Sequence, residues 1–244
     1  MQSAAAACGR VPEGLMASLR VQLEWRERIA AEYTSAAITH HLVHWLIQLG
    51  APPDMIEAGL AIVADELAHS RASHEVYGAA GGSEMPAIDA GKLALARREG
   101  DLYLDVLRVV VRVFCLGETV AVPLFVHLRS GCTESVAREA LDRIVRDEAR
   151  HRDFGWDLLD WLQQSSPIRS HVSALVSAAL PEMLADLERS YGDDNVAVQS
   201  DDGAMSDEDR RWGLAPAREY AEVLATCRER DFRPRFAARG ISFP

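Results

Sequence analysis

Asp-Glu-x-x-His occurs twice in this chain, as Asp65-Glu66-Leu67-Ala68-His69 and as Asp147-Glu148-Ala149-Arg150-His151, each inside a long run with helical periodicity. Residues three apart on a helix lie about 60° apart around its axis, so Glu66 and His69 share a face, and so do Glu148 and His151. Each helix thus presents one oxygen and one nitrogen ligand on one side. A single Glu-x-x-His is a weak signal, because both residue types are common on solvated helix faces. Two copies on separate amphipathic helices reverse that preference and call for an all-α bundle in which the two faces meet.

The rest of the chain supplies the helices. Apolar residues recur at helical spacing from about Leu19 to Leu49, and Gly50-Ala51-Pro52-Pro53 stops the run. A second helix is predicted from Asp54 to about Tyr77, ended by the glycine-rich stretch Gly78 to Gly82. A short helical piece between Asp89 and Glu99 is predicted to carry the chain across the bundle. The third long helix spans about Asp101 to Arg129; strand competes at Val109-Val110-Val111, but the length of the run favours helix. The fourth runs from Glu134 to Gln164 with Thr133 as its N-cap, and a fifth from Pro167 to about Tyr191. Gly192 to Asp209 reads as an acidic, mobile connection, and a last helix is expected from Pro216 to about Arg230. The predicted organisation is an N-terminal extension (1–18), a helical bundle (19–191), and an acidic linker with an accessory C-terminal helix (192–244).

If the two motifs face one another, the other two long helices should each add an inward acid. Glu118 meets this requirement, standing in the apolar run Val109 to Phe125, where Arg112 is the only other charged residue. A carboxylate buried there without a partner costs several kcal/mol, so an ion or a salt bridge has to account for it. The first helix offers Glu24, Glu27 and Glu32. Glu32 is chosen because it lies mid-helix, and because its separation from Glu66 is close to that of Glu118 from Glu148, which sets the acids at matching heights. Asp65 and Asp147, each preceding a motif glutamate, are candidates to accept the second ring N–H of a histidine, on the same or the opposite helix.

The order Glu, Glu-x-x-His, Glu, Glu-x-x-His over four helices resembles the ferritin-like di-iron carboxylate superfamily, over about Leu19 to Leu162. The second motif is similar to the Asp-Glu-x-Arg-His pattern of ribonucleotide reductase small subunits and bacterial multicomponent monooxygenases. The resemblance implies a ferritin-like four-helix bundle with additional C-terminal helices and a site for two Fe ions, with Mn as the alternative metal. It further implies that Glu66 and Glu148 bridge the metals, that Glu32 and His69 complete one, and that Glu118 and His151 complete the other. Two divalent ions balance four carboxylates, and mixed oxygen and nitrogen ligation suits Fe(II) or Mn(II).

Within that superfamily, the chain has no C-x-x-C set of the kind rubrerythrins add. Its length after the fourth helix suits a covered pocket better than the storage shell of bacterioferritin. Arylamine N-oxygenases carry a further histidine one turn before the second motif, where this chain has Ile144. Aldehyde-deformylating oxygenases share the six-ligand set. The resemblance therefore implies an O2-dependent oxidoreductase acting on a small organic molecule with electrons from an external donor, with a ferroxidase or iron-binding protein as the alternative.

Composition narrows the partners. Among 244 residues, 37 acidic residues against 26 basic ones leave a formal charge of −11, which repels nucleic acid and anionic lipid. The four cysteines, Cys8, Cys115, Cys132 and Cys227, form no C-x-x-C pair, so the chain reads as cytoplasmic. No window is expected to reach the roughly 18 apolar residues of a membrane span, and a homodimer is compatible with everything above. His40, His41 and His44 suggest zinc but read better as partly exposed helix residues. Tyr33 reads as a packing aromatic, Cys115 as a residue that can line the cavity, and Pro123 as a kink or widening just after Glu118.

Overall fold

The computed structural model describes residues 16–192 and 205–244, and among them there is no strand. The chain is an all-α helical bundle. Helix α1 (Leu19–Gln48) starts at Ser18, whose hydroxyl accepts from the Val21 N–H, and ends where Gly50 takes a positive φ. Helix α2 (Pro53–Ala79) opens with Pro53 in its first turn, where the missing N–H costs nothing. Helix α3 occupies Leu102–Gly131 and α4 occupies Ser135–Ser165. These four pack as two hairpins, α1 against α2 and α3 against α4, with α2 and α4 also in contact.

Helix α3 is not uniformly α-helical. Val110–Glu118 is a π-helical segment between the α-helical stretches Leu102–Val109 and Thr119–Gly131. The widening therefore lies before Glu118, whereas Pro123 was expected to cause it afterwards. Pro123 has no N–H to offer the carbonyl four residues back. That carbonyl, of Thr119, accepts instead from the Cys227 thiol at 3.8 Å.

Two other expectations are corrected. Between Asp89 and Glu99 only Ala90–Lys92 forms a helical turn, of the 3-10 type. The Arg98 and Glu99 N–H groups donate to the buried Asp105 carboxylate at 2.8 and 3.1 Å, and Leu95 N–H donates to His41 Nδ1, so side chains take the donors a helix would need. At the far end, residues 193–204 of the expected mobile connection lie outside the described residues, as do residues 1–15 of the extension. The end of that connection is ordered: Asp207–Arg211 is helix α6, with Ser206 and Asp209 capping each other's backbone N–H reciprocally.

Helix α5 (Val172–Tyr191) begins after turns at 167–171. Helix α7 (Ala217–Cys227) continues through a π-helical turn (Arg228–Phe232) into α8 (Arg233–Ala237), running past the expected end at Arg230. Phe232 and Phe236 are fully buried in the same core as α3 and α4, with Phe236 edge-on to Trp156. By length and composition α3 can cross a membrane, contrary to expectation, with mean hydropathy 2.0 over its best window. Half of that window is buried inside the bundle, where Phe114, Cys115, Leu116 and Val120 form core, and the window contains the buried acid Glu118, which faces the other helices.

Candidate metal centre

The four long helices bring all six candidate ligands into one buried cluster. Glu32 comes from α1, Glu66 and His69 from α2, Glu118 from α3, and Glu148 and His151 from α4; none is more than 8% exposed. Their ligand atoms fall into two groups, Glu32 with Glu66, His69 and Glu148, and Glu118 with Glu66, Glu148 and His151, each within 4.8 Å. Glu66 and Glu148 belong to both. The rejected acids of α1 lie elsewhere: Glu27 is exposed, and Glu24 is partly exposed and paired with Arg28 at 3.0 Å.

The histidines define the chemistry. His69 Nε2 lies 3.2 Å from Asp147 Oδ2, and His151 Nε2 lies 3.3 Å from Asp65 Oδ2. A carboxylate only accepts, so each Nε2 carries the hydrogen and donates. Each aspartate serves the histidine of the opposite helix. In the neutral ring, Nδ1 then turns a lone pair toward carboxylate oxygens: His69 Nδ1 is 3.6 to 3.8 Å from Glu32, Glu66 and Glu148, and His151 Nδ1 is 3.4 Å from Glu66 and 3.5 Å from Glu148. Both Nδ1 atoms, with Glu66 Oε2 and Glu148 Oε2, are buried and lack any hydrogen-bond partner. Lone pairs pointed at one another in a dry core need a proton or a cation between them.

Titration behaviour follows from the same crowding. Burial pushes Glu32 up to about 7 and Glu148 up to about 8, against the lowering influence of His69 and Glu118 respectively. Burial and the neighbouring Glu148 hold Glu118 well above the carboxylate range. Burial also acts to raise Glu66, but His151, His69 and Glu32 together hold it below that range. Burial disfavours charge on His69, yet the carboxylates of Glu32 and Glu66 outweigh it and raise the ring to about 11. The crowded, buried carboxylates thus favour a proton or a cation among them over four bare charges. The donor set fits two such ions: four carboxylates, two imidazoles with free Nδ1 atoms, and second-nitrogen partners already in place.

Several contributors were not singled out from the sequence. Ser35 Oγ donates to Glu66 Oε1 at 2.9 Å and lies one turn beyond Glu32 on the same face, a spacing that could have flagged it. Arg150, the arginine of the second motif, donates to both Asp65 (2.9 Å) and Asp147 (3.0 Å), tying the two aspartates together across helices. Helix α4 closes on α3 at Gly155, where Cys115 Sγ donates to the Gly155 carbonyl at 3.4 Å. His40 and His44 are exposed, His41 is held by Leu95 and Trp45, and with Tyr33 they line a surface groove of about 420 Å³. Among the described residues none of the three belongs to a group of converging ligand atoms. Neither a protein-family model, nor a curated protein, nor a solved structure matches this chain.

Proposed function

We propose that this chain is a ferritin-like, non-haem di-iron oxygenase or oxidase that activates O2 to oxidise a small organic substrate. The observation that carries the reading is the pair of buried histidines whose unpartnered Nδ1 atoms face four carboxylates while their Nε2 atoms are bound to aspartates. In this reading Glu66 and Glu148 would serve both ions, Glu32 and His69 one of them, and Glu118 and His151 the other. Iron supplies the redox chemistry with O2 that carboxylates and imidazoles lack, and manganese is the alternative metal. The protein's part is to hold the ions, orient the rings through Asp65 and Asp147, and keep water away from the cluster. Electrons come from an external donor, since the chain holds no cysteine cluster. Cys115, Cys132 and Cys227 are buried free thiols, which supports a cytosolic setting.

Anaerobic loading with Fe(II), followed by metal analysis and stopped-flow absorption on mixing with O2, tests the reading. About two ions per chain are expected, lost in Glu118→Ala and Glu148→Ala, with O2 consumed and an added organic compound oxidised when a reductant is present. Unchanged metal content in both variants overturns the site. O2 consumption that yields only ferric mineral, in cage-sized particles, replaces the oxygenase reading with a ferroxidase one.

A further inference from the structure

Arg28 lies on α1 one turn before Glu32 and on the same face. It is 8% exposed, and its Nη1 is buried with no hydrogen-bond partner. The other terminal nitrogen is used: Nη2 donates to Glu24 Oε1 at 3.0 Å. The guanidinium is held in place by aromatic faces, 4.4 Å from the Trp25 ring centre on its own helix and 5.5 Å from that of Phe125 on α3. A stacked, buried arginine with one empty donor presents half of the planar fork that matches a carboxylate.

Its surroundings belong to the cluster's edge. The Ser70 hydroxyl donates to the Ile29 carbonyl, which sets the register of α2 on α1 and brings Ser73 level with the turn that carries Trp25 and Arg28. Ser73 Oγ is fully buried and also lacks a partner. On α4, Ile144 stands one turn before Glu148 and is fully buried. Glu24, one turn before Arg28, is partly exposed, so this face of α1 runs from solvent at Glu24 to the buried cluster at Glu32.

We propose that Arg28 anchors the carboxylate of a small alkyl or aryl acid at the edge of the cluster, so that the substrate of this site is an organic acid. The proposal rests on the di-metal oxygenase reading above. The empty Nη1 supplies the charge-assisted donor, and the unpartnered Ser73 hydroxyl belongs to the turn of α2 that faces Trp25 and Arg28.

The test uses protein loaded with Mn(II), titrated calorimetrically with octanoate and phenylacetate and with the uncharged octanamide and phenylacetamide. The acids are expected to bind at least about tenfold more tightly than the amides. Arg28→Gln should abolish that preference while Mn(II) content stays at about two per chain. Glu24→Gln removes the negative charge that competes for the guanidinium and should tighten acid binding several-fold. Equal affinity for acid and amide, or a preference that survives Arg28→Gln, overturns the anchor. If Arg28→Gln does not fold, unchanged or weaker acid binding by Glu24→Gln overturns it instead. An Arg28-dependent preference in protein that takes up no metal keeps the anchor and tells against the di-metal reading alone.

Discussion

Asp147 and Asp65 do the same job in unequal surroundings. The Asp147 side chain is 5% exposed and holds His69, whereas the Asp65 side chain is 20% exposed and holds His151. Removing Asp147 leaves a buried Nε2–H without an acceptor; removing Asp65 lets water take its place. Asp147→Ala is therefore expected to weaken Mn(II) or Fe(II) binding about 10–100-fold, and Asp65→Ala by less, as read by competition with a metal indicator. Equal losses would show that burial does not set the difference. Away from the centre, Arg210, and after it His127, hold the Glu219 carboxyl down at about 2, with His127 Nε2 at 2.7 Å. A depressed carboxylate contributes stability that is complete above its unfolded value and lost as pH falls toward the folded one. The Tm of the wild type should thus fall between pH 5 and pH 2.5 by more than that of Glu219→Gln; parallel curves would remove Glu219 from the acid limb.

At the scale of elements, the contact of α4 with the π-helical part of α3 sets where Glu118 sits. A Cβ at Gly155 would lie 2.4 Å from Phe114 Cβ and 3.0 Å from the Phe114 carbonyl carbon. Alanine normally gains about 1 kcal/mol over glycine inside a helix. Here the clash is with a neighbouring backbone, and overpacking costs about 1–3 kcal/mol. Gly155→Ala should lower the Tm by a few degrees and reduce metal uptake, because the displaced segment ends at Glu118. A raised Tm would mean that the helices can separate without cost. The π-helical segment has the same origin: shifting one residue of register over Val110–Glu118 lets Phe114, Cys115 and Leu116 stay buried while Glu118 faces the cluster.

For the molecule as a whole, the cluster sets the charge balance of the core. Without ions, four carboxylates share one dry volume and three of them are driven above the usual range. Glu118→Gln removes one of these acids, so it should raise the Tm of metal-free protein while shrinking the gain from metal. Ions bound only to the folded state add about 2.7 kcal/mol at a hundredfold excess over Kd, several degrees for a chain of this size. Thermal unfolding of both proteins with and without Mn(II) measures this. A Glu118→Gln protein less stable than wild type in the absence of metal would place Glu118 in an ordinary ion pair.

The helices and most of the cluster were legible in the sequence because both rest on local spacing. Period 3.6 and the Gly-Pro breaks mark α1 to α4, a three-residue step puts Glu66 beside His69, and an acid alone in an apolar run marks Glu118. The all-α class follows from these. Tertiary packing decided the rest. Which histidine each aspartate serves depends on how α2 lies on α4. The π-helical turn arises from burying both Phe114 and Glu118, and the order of Asp207–Arg211 from the Ser206–Asp209 cap and the contact of Asp209 with Ser18. Arg28 reads in sequence as one more basic residue on a charged helix. Only when α3 brings Phe125 against it does it become a buried cation with a donor to spare, because desolvation is a property of the packed core and not of the chain's local pattern.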